Sequence, residues 1–226
     1  YVIPPRQSLG MIDGYLTLSP LQRLEERRAP VDIFFRTLAE AHGRRAVSVV
    51  LSGTGADGSM GMKRVKECGG VCFVQDPDEA EHGDMPMACI ATALVDQVLQ
   101  VARIPERIVI YQRSLREIKL PDRPDDPIES DDDGLREIFS LLRQRTGHDF
   151  SNYKRSTILR RIERRLGVNG IRDIRSYAEF VRDHPTESQA LLKDLLISVT
   201  NFFRDANAFE KLEELIVPQL FQGKTE

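Results

Sequence analysis

A strand, a glycine-rich turn that carries a carboxylate, and a helix follow one another between Ala46 and Gly70, and this succession points the chain toward an open α/β layout. The apolar run AVSVVL (46–51) predicts a buried strand. SMGMKRVKECGG behind it predicts a helix closed by Gly69 and Gly70. Between them lies LSGTGADGSMG, residues 51–61, with Asp57 as its ionisable group. The turn then falls at the carboxyl end of a strand, where open α/β sheets keep their ligands and catalytic groups.

Three readings of that turn stay open on the residues alone. Gly53, Gly55 and Gly58 match G-x-G-x-x-G, and Asp76 or Asp78 ends the next strand, VCFVQ, at about the spacing of a dinucleotide fingerprint. Such a fingerprint cradles a pyrophosphate on backbone N–H groups, yet Asp57 sits where the phosphate would come. At an effective dielectric of about 20 that repulsion amounts to several kcal/mol. In the second reading Asp57 merely caps the helix behind it, worth about 1 kcal/mol. In the third the turn exists to aim the carboxylate at a reacting partner.

The composition bounds the rest. With 226 residues, 41% of them hydrophobic and 30% charged, the chain suits one or two domains with real cores. A net charge of −3 argues against whole-chain attraction to nucleic acid or anionic lipid. Neither a signal peptide nor an apolar run of membrane-spanning length is present, so a cytoplasmic location without membrane insertion is expected. Cys68, Cys72 and Cys89 cannot all pair, and their spacing makes a poor zinc site; reduced, buried thiols and no metal are expected.

Character changes across KLPDRPDDPIESDDDG (119–134), where prolines and acids leave little to bury. Before it, IPERIVIYQRSLREI predicts a helix that packs back on the first part. After it come helical patterns without strands: LREIFSLLRQRTG, TILRRIERRLGVNG, IRSYAEFVRDH and ESQALLKDLLISV. In the second of these, Ile158, Ile162 and Leu166 form an apolar stripe widened by Leu159. Arg160 and Arg164 fall on the opposite face with Arg161 beside them, and Arg165 lies near the stripe's edge. Glu163 alone answers them locally. The cluster is either a solvated face or a surface for an acidic helix or a phosphate backbone.

Beyond the turn, the first 115 or so residues resemble the catalytic domain of the chemotaxis receptor methylesterases, the CheB family. The matching elements are a strand-like YVIPP, the hairpin-like MIDGYLTL, PVDIFFRTLAEAHG, VVLSGTGADGSMGMKRVKECGG and FVQDPDEAEHGDMPMACIATALVDQVL. The resemblance implies that a serine attacks a receptor glutamate methyl ester, a histidine moves the proton, Asp57 orients the histidine, and the Thr54 N–H faces the oxyanion. The family more often has Met at the Thr54 position, and GMP where this chain has Gly83, Asp84, Met85 and Pro86. No G-x-S-x-G elbow occurs, and His42 and His82 are more simply polar surface residues, so nucleophile and base are expected upstream of Tyr1.

The later part resembles a second family. TGHDFSNYKRSTILRRIERRLGVNGI, SYAEFVRDHP and LLKDLLISVTNFFRDANAFEKLEELIVPQL are similar to the amino-terminal helical domain and domain junction of the receptor methyltransferases, the CheR family. This resemblance implies that Arg160, Arg161 and Arg164 face the acidic methylation helices of chemoreceptors, and that Ser198, where Asn is frequent, Thr200 and Arg204 contribute to binding S-adenosylmethionine. Without it, Thr200 and Arg204 read equally as a cap and a surface charge.

The expectation is therefore a multi-domain chain in which a doubly wound, Rossmann-like and truncated α/β methylesterase domain precedes an all-α helical domain. Residues 1–118 form the first, 119–134 a linker, 135–200 the second, and 201–226 the cut start of a domain that binds S-adenosylmethionine. The chain would be a segment of a bifunctional enzyme acting on chemoreceptor glutamates, inactive by itself. The alternative is a non-catalytic sensory scaffold with degenerate enzyme halves.

Overall fold

The structure, a computed structural model, describes residues 1–21, 29–118 and 133–196, together with Lys211 and Glu214. It opens on an antiparallel hairpin of β1 (Gln7–Ile12) and β2 (Tyr15–Pro20). Asp13 and Gly14 turn it with φ of 49° and 82°, the left-handed pair a two-residue hairpin loop requires. The YVIPP stretch, expected as a strand, has no strand structure. Two successive prolines withhold the N–H groups a ladder needs, and β1 starts only beyond them.

Pro30 occupies the first turn of α1 (Pro30–His42), where its missing N–H costs nothing. The βα units follow: β3 (Val47–Val50), α2 (Ser59–Glu67), β4 (Val71–Gln75), α3 (Asp84–Ala91), β5 (Gln97–Leu99) and α4 (Ile104–Glu117). The three strands are parallel in the order β3-β4-β5, with β4 central and buried throughout. Alternation along them divides two cores. Val50, Cys72 and Val74 meet Phe35 and Ala39 of α1, Met62 and Val65 of α2 and Cys89 of α3. Val71 and Phe73 meet Tyr111 of α4 on the other face, with Val47, Val49 and Leu99 packed alongside. Helices thus cover both faces, the doubly wound arrangement that apolar runs in a parallel sheet demand.

The helical part comprises α5 (Asp133–Thr146), α6 (Arg155–Asn169), α7 (Ile174–Asp183) and α8 (Pro185–Leu196). The first residues of α5, Asp133 and Gly134, fall within the stretch read as linker. Its core joins Leu135, Ile138 and Leu142 to Ile158, Ile162 and Leu166, with Tyr177, Val181 and Leu191 closing it. Each such buried aliphatic side chain contributes about 1.5–3 kcal/mol. Asp173 caps α7 through the Ser176 N–H at 2.8 Å, and Gly170 ends α6 with φ of 73°.

The two parts pack directly on one another. Val168 of α6 lies in the cluster of Val71, Phe73 and Tyr111. A Cβ on Gly167 would come within 3.1 Å of the Tyr111 ring, so glycine allows the close approach of α6 to α4. Tyr1–Leu196 forms one compact unit.

Candidate functional site

At the carboxyl end of β3 the turn passes through Gly55 and Gly58, with φ of 86° and 92°. Only glycine takes such values readily, and Gly58 also sits against Val31 and Val50. The half-buried Asp57 carboxylate points sideways. Its Oδ2 accepts the Val31 N–H and its Oδ1 the Asp32 N–H, both at 3.0 Å. Asp57 therefore caps α1, which comes earlier in the chain. The helix behind it, α2, has Gly58 at its N-cap and no side-chain cap, which corrects the simple capping expectation. The favour is returned, since Asp32 Oδ1 accepts the Gly61 N–H in the first turn of α2 at 2.6 Å. Two helix N-termini thus exchange carboxylates, each near the positive end of the other's dipole.

The first half of the turn is braced separately. Ser52 N–H donates to Gln75 Oε1 at 2.7 Å, Gly53 N–H to the His82 carbonyl at 2.9 Å, and Met85 N–H to the Gly53 carbonyl at 3.0 Å. The residues around Gly83–Pro86, where the chain departs from the GMP pattern, open α3 and form part of this brace. Thr54 is exposed at the apex. His82 is exposed, with its N–H on Ser52 Oγ at 2.9 Å, and His42 ends α1. Neither histidine bonds Asp57 among the described residues. The arrangement offers a carboxylate fixed by two backbone donors at a strand end, able to orient a base that approaches it.

The arginine helix differs from expectation. Arg160 is exposed, but Arg161, Arg164 and Arg165 retain only 2%, 3% and 4% of their accessible surface. At Arg161 and Arg164 this side of the helix is covered by the α/β part. Arg164 donates to Asp96 and Asp194 through its two terminal nitrogens and to the Gly70 carbonyl from Nε at 2.9 Å. Arg165 grips Glu187 in a bidentate pair at 2.7 and 2.6 Å and reaches Asp96 at 3.3 Å. Lys66 adds ion pairs to Asp96 at 3.4 Å and Asp194 at 3.1 Å. Arg161 donates to the Lys66 carbonyl at 3.3 Å. Burial pushes the Asp96 carboxyl up, but Arg164, Lys66, Arg165 and the Cys72 N–H together outweigh it and bring it below the usual range. Lys66, Asp96, Glu187 and Asp194 thus belong to this site, and sequence reasoning missed all four. Arg164's partners lie 30 and 68 residues away, beyond any helical or local charge pattern.

Ser198, Thr200 and Arg204 lie outside the described residues. The three cysteines are free thiols, Cys72 and Cys89 buried and Cys68 half-buried. Burial pushes the Cys72 thiol up to about 12, with Asp96 nearby adding to the shift, and the Cys89 thiol up to about 11. Both therefore stay protonated and unreactive at neutral pH. No helix among the described residues is long and apolar enough to cross a membrane.

Comparison with known proteins gives the following. Residues 1–108 match the CheB methylesterase family, and residues 133–196 match the all-alpha domain of the CheR methyltransferases. An uncharacterized 104.1 kDa protein in the hypE 3'region of Rhodobacter capsulatus is 36% identical over 239 residues, 97% of this chain and 25% of that protein. A putative protein-glutamate methylesterase/protein-glutamine glutaminase of Leptospira interrogans is 36% identical over 110 residues, 48% of this chain and 57% of that protein. The crystal structure of the Thermotoga maritima CheB methylesterase catalytic domain aligns with a TM-score of 0.43 at 28% identity, covering 47% of this chain and 58% of that one. The chain thus spans between a quarter and somewhat more than half of the length of these relatives. The α/β part belongs to the CheB methylesterases and the helical part to the all-alpha domain of the CheR methyltransferases, the two joined in that order in one polypeptide.

Proposed function

We propose that the chain is a segment of a bifunctional chemotaxis enzyme that removes methyl groups from receptor glutamates by ester hydrolysis and adds them from S-adenosylmethionine, acting on the acidic helices of chemoreceptors in the cytoplasm. In the esterase half, Asp57 is the triad acid. It would accept the N–H of a histidine that takes the proton from an attacking serine, both supplied by the rest of a complete domain. The Thr54 N–H would face the developing oxyanion. The observation that carries this reading is the posture of Asp57: two backbone N–H groups, from Val31 and Asp32, hold its carboxylate rigid at the end of β3. A triad acid is useful only when its orientation is fixed, because it selects the tautomer and angle of the histidine. In the methyltransferase half, Ser198, Thr200 and Arg204 would contribute to one wall of the cofactor site, and S-adenosylmethionine would supply the methyl group.

One observation favours the scaffold alternative: both carboxylate oxygens of Asp57 already accept N–H bonds, and a cross-cap needs no catalysis to explain it. Asp57→Asn separates the two, assayed for receptor methyl-ester hydrolysis in a methylesterase domain completed to the length of its curated relatives. The amide keeps one acceptor for α1, so stability should fall by no more than about 1 kcal/mol. As a triad acid its loss should cost on the order of 10⁴ in kcat. Unchanged kcat in a folded variant would leave Asp57 as a cap only.

A further inference from the structure

With Arg161 and Arg164 enclosed, the exposed positive charge of this face has to be sought elsewhere, and it lies along the junction of the two parts. A cavity of about 240 Å³ opens between the end of α2 and the middle of α6, lined by Arg44, Leu115, Arg160 and Glu163 among others. A second, of about 360 Å³, is lined by Arg44, Arg45, Gln112, Leu115 and Arg116. They share Arg44 and Leu115, so they form one groove with arginines from the turn after α1, from α4 and from α6. The nearby acids are already taken: Glu163 by Arg44, Glu117 by Arg172 at 2.8 Å, and Glu40 and Glu67 by Arg64 at 3.2 and 3.4 Å. Arg45, Arg116 and Arg160 form no ion pair among the described residues. Three uncompensated guanidinium groups in a chain of net charge −3 make a local positive field.

We infer that this junction groove, built by both parts of the chain, is the docking surface for an acidic protein segment, with Arg45, Arg116 and Arg160 as its contacts. Carboxylates one helical turn apart are separated by about 5.4 Å along the axis, so a single acidic helix presents a row of charges along one face. Arg pairs with carboxylates bidentately, and Leu115 offers an apolar floor to the aliphatic stem of a glutamate. A nucleic acid is the poorer occupant. Single strands bind over aromatic platforms and duplexes along extended basic tracks, whereas no aromatic side chain among the described residues lines either cavity and the remainder of the chain is acidic. The inference deepens the acidic-partner element of the proposed function. It moves the recognition surface from the buried arginines of α6 to a groove in which the first cavity is lined by both parts and the second by the α/β part alone.

The test is fluorescence anisotropy of a labelled, glutamate-rich helical peptide titrated with the whole chain at 50 and 300 mM salt. No enzymatic activity enters, so a failed esterase assignment leaves the result interpretable. Saturable binding is expected, weakened at least tenfold by the higher salt and at least tenfold by Arg116→Glu combined with Arg160→Glu. These side chains are exposed, so circular dichroism should stay unchanged. Arg103→Glu, at an exposed arginine that pairs with Glu106 and lines neither cavity, should leave affinity as it is. Equal loss with Arg103→Glu, no effect of the double variant, or tighter binding of an oligonucleotide of equal charge would each overturn the assignment.

Discussion

At Gly61 a missing methyl group decides how two helices meet. A Cβ there would stand 2.7 Å from Phe35 Cβ and 2.9 Å from Asp32 Cα, both in α1. The close crossing brings the Gly61 N–H to 2.6 Å from Asp32 Oδ1, the return half of the exchange in which Asp57 caps α1. Gly61→Ala should therefore push α2 off α1, at about 1–3 kcal/mol for the overpacking, although alanine favours a helix over glycine by nearly 1 kcal/mol. Urea unfolding of the chain measures the net loss. A variant as stable as the parent would mean that the crossing relaxes freely and that Asp57 is less firmly held than its geometry implies. The turn itself was legible from its glycines and its carboxylate, but its hydrogen-bonding partner was not. A capping aspartate is recognised from the helix that follows it, whereas Asp57 serves a helix whose first N–H lies 26 residues earlier. Local pattern carries no information on which helix start a folded turn will face.

Among the elements, α6 shows both what periodicity reveals and what it conceals. The stripe of Ile158, Ile162 and Leu166 was readable and lies in the helical core. Around Arg164 and Arg165 the helix is buried too, but by ion pairs, which leave no hydrophobic period. Arg164 and Lys66 are each shared between Asp96 and Asp194, with Arg165 supplementing Asp96. Removing one member of a buried pair leaves its partner uncompensated and costs about 3–5 kcal/mol. Asp96→Asn should destabilise the chain by about that much at pH 7. The pH dependence follows from the direction of the Asp96 shift. A carboxyl whose folded value lies below its unfolded one, near 3.9, contributes fully above that value and loses its contribution as pH falls through the folded value. The stability gap between parent and Asp96→Asn should accordingly be widest near neutrality and close progressively below about pH 4. Denaturant titrations at pH 7 and pH 3 give both numbers. A gap independent of pH would show that Asp96 acts through shape and hydrogen bonding rather than charge.

At the scale of the whole molecule, the acidic, proline-rich run at 119–134 marks the change from the α/β part to the helical part, and the described residues on either side of it share an interior. Low hydrophobicity shows where a chain cannot build a core; it does not show whether the elements flanking that stretch touch. Here they touch through Val168 packed with Phe73 and Tyr111, through Arg107 donating to the Val168 carbonyl at 2.8 Å, through Arg164 donating to the Gly70 carbonyl at 2.9 Å, and through the Asp96 ion pairs. None of these contacts requires the connecting backbone to be intact. A protease site inserted within 119–132 and then cut should leave the two pieces associated. Co-elution at micromolar concentration on gel filtration requires an association free energy of about 8 kcal/mol or better, which a seam combining an apolar centre with a desolvated charge cluster can supply. Gly167→Leu offers a contrasting case, since even a Cβ at that position comes within 3.1 Å of the Tyr111 ring and the longer side chain has no room. Its cut form should separate while the cut parent does not. Separation of the cut parent at 0.15 M salt would mean that the covalent connection, not the seam, holds the parts together, and the junction groove would then form only in the intact chain.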